Sequence, residues 1–210
     1  MSVAQLELVH PAPLPLQHQV SEPRPEHAVI ARFINIGARV LDVGCGDGAL
    51  MQLLERERDA RVRGVELDPA KAQYCVTRRL SVVQADADHD LEHFPSGSVD
   101  YVVFSHTLLS LRDPQQALKT AARVGDRVIV AFKNAGHWRT RLRFAREGRL
   151  ANWRPEAMCS VRDFAELARS LRLSIERAVP VSGQHAGAPF AKTLWRPNWF
   201  AEQAVFLLTP

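Results

Sequence analysis

Short apolar runs, each cut off by a polar residue or a glycine, recur from residue 39 to residue 132. Val40-Leu41 with Val43, Val62 with Val65, Val82-Val83, Tyr101 to Phe104, and Val128 to Phe132 are rich in β-branched and aromatic residues. They are too short for helices and predict strands over 39–43, 62–67, 80–85, 101–104 and 128–132. Apolar positions at helical spacing fill the intervals and predict helices over 48–58, 70–78 and 114–124, with Pro69 and Pro114 opening the last two. Strands that are apolar on both faces and alternate with helices belong to a parallel sheet covered on both sides, an α/β architecture. Pro25 suits the first turn of a preceding helix over 26–34, whose Val29, Ile30 and Phe33 share one side.

Past Gly136 the spacing of Trp138, Leu142 and Ala145 predicts a helix within 137–149. Ser160 with Asp163 forms a capping pair for a helix carrying Phe164, Leu167, Ala168 and Leu171. Strands are predicted over 173–181 and 203–208, joined by a loop of about 20 residues rich in Gly, Pro, Trp and His, long enough to be functional or mobile. At the other end, Pro11, Pro13, Pro15 and Pro23 rule out a helix or central strand. Residues 1–24 are therefore read as an extended, mobile arm and 25–210 as one domain.

The chemistry concentrates at Asp42-Val43-Gly44-Cys45-Gly46-Asp47-Gly48, between a strand and a helix. Glycine admits backbone angles closed to other residues and lets a ligand approach the main chain, while the helix start offers unpaired N–H groups. Gly44 to Ala49 also fits the G-x-G-x-x-G/A pattern of nicotinamide-binding folds. The acids favour a different ligand. Asp42 beside the turn would repel a pyrophosphate and attract the ammonium and sulfonium of S-adenosylmethionine. Glu66 ends the second strand, where its carboxylate would accept both ribose hydroxyls, and Asp86 ends the third, where it would accept the adenine amine. All three fall at the carboxyl edge of one sheet.

Composition narrows the setting without changing the picture. With 46% hydrophobic and 24% charged residues the chain is ordinary globular protein. Cys45, Cys75 and Cys159 lie far apart in sequence, which argues against a zinc site or disulfide framework and for a reducing, cytoplasmic setting. No apolar run approaches the roughly 20 residues of a membrane span, and no secretion signal is evident. The net charge of +4 is locally concentrated, with ten arginines against five acids between His137 and Arg177. That is a solvated basic face or a docking surface for an acidic partner; no nucleic-acid-binding module accompanies it.

The Asp-x-Gly-x-Gly-x-Gly stretch, Glu66 and Asp86 resemble the class I S-adenosylmethionine-dependent methyltransferase fold over 25–210. The resemblance implies a Rossmann-like sheet of seven strands, six parallel and the last antiparallel. It also implies cofactor contacts at Asp42, Gly44, Cys45, Gly46, Glu66, Leu67, Asp86, Ala87 and Ser105, with S-adenosylhomocysteine as product of any transfer. Further segments resemble the MetW family of methionine biosynthesis: Gly64 to Pro69, Ser105-His106-Thr107-Leu108, Arg123-Val124-Gly125, and Asn134 to Arg139 with its Gly-His-Trp-Arg. That resemblance implies a role beside a homoserine O-acyltransferase of the MetX type, contacted through the basic segment 137–149. The chain departs from the family's pattern at 151–159, before the helix that starts near Ser160.

His106, at the end of the fourth strand, is the one candidate general base. His89 and His93, four apart among acids, read as part of a solvated loop rather than a metal pair. Cys45 reads as a space-filling residue, although a helix N-terminus beside it would lower its pKa.

Overall fold

The computed structural model describes residues 24–147, 159–190 and 194–210. The predicted proline-rich arm up to residue 23 and most of the 151–159 departure lie outside them. Five strands, β1 (Arg39–Val43), β2 (Arg61–Glu66), β3 (Ser81–Gln84), β4 (Val99–Ser105) and β5 (Gly125–Lys133), run parallel. β6 (Ser174–Ser182), β7 (His185–Ala186) and β8 (Gln203–Thr209) complete the sheet in the order β3-β2-β1-β4-β5-β8-β6-β7. β8 inserts antiparallel between β5 and β6, so β1 to β6 point one way while β7 and β8 are reversed.

The sheet has eight strands among the described residues, one more than predicted. The additional β7 is a two-residue hairpin arm folded back on β6, with Gly183 at φ +54° in the turn. The predicted long loop also contains a helix, Trp195–Phe200. Neither element carries the periodicity from which it would be predicted.

Helices cover both faces. α1 (Pro25–Phe33), α2 (Ala49–Arg58) and α3 (Pro69–Thr77) pack Val29, Ile30, Leu50, Met51, Leu54 and Cys75 onto the face bearing Val40, Val103 and Ile129. α4 (Ala87–Asp90), α5 (Pro114–Val124), α6 (Trp138–Glu147), α7 (Val161–Ser170) and α8 (Trp195–Phe200) follow in chain order. α5 and α7 cover the opposite face with Leu118, Ala121, Val161 and Phe164 against Val102, Val128 and Phe206. Phe164 packs on both Phe132 and Phe206, with ring centroids 4.9 and 4.8 Å away. The predicted capping pair forms: the Asp163 N–H donates to the Ser160 hydroxyl and the Ser160 N–H donates to the Asp163 carboxylate.

The chain turns opposite ways off β1 and β4, which are neighbours in the sheet. Loops leaving the two strands therefore part at their carboxyl ends, the place where open α/β sheets hold ligands.

Candidate functional site

Gly44, Gly46 and Gly48 all adopt left-handed φ, at +75°, +60° and +77°. The turn folds back under β2, where the Gly44 and Cys45 N–H groups donate to the Val65 carbonyl at 2.7 and 3.1 Å. A β-carbon on Gly44 would lie 2.3 Å from the Thr107 hydroxyl, so the turn after β1 and the loop after β4 touch there. At Gly46 nothing lies within 4 Å of the same position, which leaves an open cradle beside the backbone.

Glu66 is buried and joins β2 to this turn. Its Oε2 accepts the Gly46 N–H at 2.8 Å, and its Oε1 accepts the Asp68 N–H at 3.0 Å. Each oxygen thus spends one lone-pair direction on the backbone and retains another for a ligand. Leu67 follows with its side chain 63% exposed at the sheet edge, an apolar surface on which a planar base would be shielded from water. Asp86 caps α4: its Oδ1 accepts the Asp88 N–H at 3.0 Å, and Ala87 begins the helix.

The histidine loop of the sequence reading is therefore a short helix followed by a 3-10 turn. The capping carboxylate compensates for the weak helix propensity of the Asp and His residues it precedes. Among the described residues no group of His, Cys, Asp and Glu is arranged to hold a metal.

Asp42 faces the α1–α2 side and is 1% exposed, with Oδ1 buried and lacking a hydrogen-bond partner. Burial pushes its pKa to about 7; the nearby Arg24 charge pulls it down and the Glu66 charge pushes it up. Arg24 is the N-cap of α1, and sequence reasoning left it in the arm. Only its position across the sheet end from Asp42 shows that it belongs here.

Cys45 lies against Gly64 and Cys75. The Cys75 thiol, burial and the Asp42 charge push the Cys45 thiol up, in keeping with a space-filling residue and against any lowering by the helix start. Ser105 presents a buried hydroxyl with no partner. Next to it His106 sits at φ +63°, and its Nε2 lies 3.0 Å from Oε1 of the fully buried Glu26. Glu26 is the other residue that the sequence reading missed, since an acid in a first helical turn reads as a complement to the helix dipole.

An S-adenosylmethionine molecule fits these residues. The open cradle at Gly46 leaves space beside the main chain, Glu66 has acceptor capacity for the ribose, and the unpartnered Asp42 oxygen suits a cationic group.

A glycine-rich turn after β1, an acid closing β2 and a reversed last strand define the class I S-adenosylmethionine-dependent methyltransferase fold. A solved SAM-dependent methyltransferase from Thermotoga maritima superposes with a TM-score of 0.65 at 16% identity, covering 87% of this chain and 86% of that one. The chain belongs to the MetW family, "Methionine biosynthesis protein MetW", whose pattern it matches over residues 24–208. It is similar to the bifunctional methionine biosynthesis protein MetXA/MetW of Rhodopirellula baltica, 30% identical over 128 residues. The match covers 57% of this chain and only 20% of that longer relative. It is also similar to a ubiquinone biosynthesis O-methyltransferase of Xanthomonas oryzae, 31% identical over 166 residues, 74% of this chain and 69% of the relative.

Proposed function

We propose that the chain binds S-adenosylmethionine at the β1–β2–β3 edge and serves methionine biosynthesis beside a homoserine O-acyltransferase of the MetX type. The observation that carries the partner is the relative whose name joins MetXA and MetW in one polypeptide. When bound, the cofactor supplies an activated methyl group on a sulfonium. Glu66 orients the ribose, Asp42 balances positive charge, and the turn from Gly44 to Gly48 holds the site open.

The basic helix α6 supports a docking role. None of its side chains is buried. It presents Arg139, Arg143 and Arg146 together with Trp138, Leu142 and Phe144, each of the three apolar side chains at least 39% exposed. Arg141 stacks over Trp199 of α8 at 4.6 Å, so the aromatic surface of α8 continues that of α6. Arginine interleaved with exposed aromatic rings is the composition of a protein–protein interface, and its charge calls for an acidic partner surface.

Arg141 also donates to the Gly136 carbonyl at 2.7 Å, so it supports the fold as well as the face. Arg143 and Arg146 make no ion pair among the described residues. Reversing these two to glutamate is expected to weaken capture of the organism's homoserine O-acyltransferase at least tenfold in a pull-down titration. S-adenosylhomocysteine affinity should be unchanged. No complex with the unaltered chain, and no change in acyltransferase rate, would contradict the partner role.

A second reading, methyl transfer to a small molecule by this chain alone, is favoured by the similarity to the ubiquinone O-methyltransferase and by His106 beside Ser105. Transfer of label from the cofactor into cell extract, lost in His106→Ala, distinguishes it.

The carboxyl of Asp42 makes cofactor affinity pH-dependent. Its folded-state pKa of about 7 lies above the ordinary 3.8, so its contribution to stability is present below pH 4 and lost as pH rises through 7. A cationic ligand reverses that preference by favouring the carboxylate. Affinity for S-adenosylmethionine is expected to rise about tenfold from pH 6 to pH 8 through this group, with proton release. Calorimetry in two buffers checks this, and Asp42→Asn should remove the increment.

A further inference from the structure

Beyond the nucleotide edge, a cavity of about 490 Å³ opens at the carboxyl ends of β4 and β5 and the amino end of β8. Arg24, Glu26, His106, Phe132, Lys133 and Gln203 are among its lining residues. Lys133 and Gln203 are paired across β5 and β8. Strands lie about 4.8 Å apart, so these two side chains stem from points roughly 10–14 Å across the sheet from β1. That separates them from the cradle at Gly46.

Two acceptors in this cavity have no donor. Glu26 is 0% exposed; its Oε1 is met by His106, but its Oε2 is buried without a partner. The Gln203 Oε1 is likewise buried and unpartnered. Burying such groups without a hydrogen bond is costly, and more so for a charged one. The Glu26 carboxyl is driven up by burial, yet its hydrogen bond to His106, its own backbone hydrogen bond and the histidine charges bring it below the usual range. It is a carboxylate that wants a cationic donor. On the other side the exposed Lys133 makes no ion pair among the described residues, and Arg24 approaches Glu26 only at 3.8 Å. The cavity thus offers a negative floor and a positive rim. His106 is held in the left-handed region to reach Glu26, a conformation uncommon outside glycine that is often kept at ligand sites.

We propose that this cavity is a second-ligand site for a small free amino acid, its ammonium on Glu26 and Gln203 and its carboxylate on Lys133 with Arg24. His106 is a positioning residue here: it fixes one Glu26 oxygen and leaves the other for the ligand. The same headgroup chemistry occurs at the aminoacyl end of S-adenosylmethionine, so the test must separate the two sources.

L-norvaline, n-valerate and n-butylamine carry the whole zwitterion and each half of it, and serve as probes titrated into the full chain and followed by NMR. L-norvaline is expected to bind at least tenfold more tightly than either half, both alone and with S-adenosylhomocysteine saturating. Lys133→Ala, on an exposed side chain, should reduce that affinity about tenfold while leaving S-adenosylhomocysteine affinity unchanged. Glu26→Gln should lower norvaline affinity likewise. Equal affinity for all three probes, or no binding, overturns the proposal. So does competition by S-adenosylhomocysteine but not by methylthioadenosine, which would assign the site to the cofactor's own aminoacyl end. Norvaline binding in a chain that fails to bind S-adenosylhomocysteine would support this site and refute the cofactor reading.

Discussion

Glu66→Ala is expected to weaken S-adenosylhomocysteine binding by between tenfold and a few hundredfold, with far-UV circular dichroism unchanged. A charge-assisted hydrogen bond contributes about 1.5–3 kcal/mol, equivalent to roughly 10- to 150-fold, and this carboxylate has capacity for more than one. The substitution also orphans the Gly46 and Asp68 N–H groups, at 2.8 and 3.0 Å in the intact protein, so the turn keeps only its backbone bonds to Val65 of β2. Glu66→Gln separates the two effects: it keeps an acceptor for one of those groups and removes the charge. It should therefore fall between the alanine variant and the unaltered chain. Unchanged affinity in calorimetry for both variants would remove Glu66 from the site.

Alanine at two glycines of the same turn should fail in different ways. Gly44→Ala places a methyl group 2.3 Å from the Thr107 hydroxyl in a backbone conformation that side chains resist. Left-handed strain of about 1–2 kcal/mol and overpacking of about 1–3 kcal/mol add to roughly 2–5 kcal/mol. For a chain of this size that lowers Tm by about 5–15 °C. Gly46→Ala meets nothing within 4 Å, so only the strain term applies to folding. Its methyl instead enters the open cradle, and cofactor binding should fall at least tenfold while Tm drops by a few degrees. Thermal unfolding and calorimetry on the pair check both halves. Equal losses of stability with equal affinities would mean that the cradle is not a ligand surface.

The parts of this protein that local pattern dictates were readable before any coordinates. β1 and α5 have the predicted limits, because an apolar run ended by glycine and a helix opened by proline are self-contained signals. Acids at the ends of β1 and β2 could be placed at one edge because parallel strands align their carboxyl ends. What could not be read depends on distant partners. Glu26 is a buried acid met by a donor only because His106 arrives 80 positions later to donate to its carboxylate. Cys45 and Cys75 look remote in sequence, yet the crossing of α3 over the turn sets them side by side. α8 escaped because Trp195-Arg196-Pro197-Asn198-Trp199-Phe200 has no helical stripe and is held by tertiary bonds. The buried Asn134 amide donates to the Pro197, Asn198 and Ala201 carbonyls.

The same logic explains why the docking face was only half visible. Its arginines were countable, but the exposed rings of Trp195, Trp199 and Phe200 join them only once α8 folds beside α6. Among the described residues no helix is long and apolar enough to cross a membrane, so these rings are not part of a helical span.

We propose that neighbouring strand ends, through Asp42, Glu66 and an open glycine turn, select an adenosyl amino-acid ligand such as S-adenosylmethionine over a dinucleotide. Calorimetric titration of the full chain with S-adenosylhomocysteine and, separately, with NADH tests it most directly. Saturable binding of S-adenosylhomocysteine at one site per chain and none of NADH is expected; tight binding of NADH with indifference to S-adenosylhomocysteine would overturn this reading.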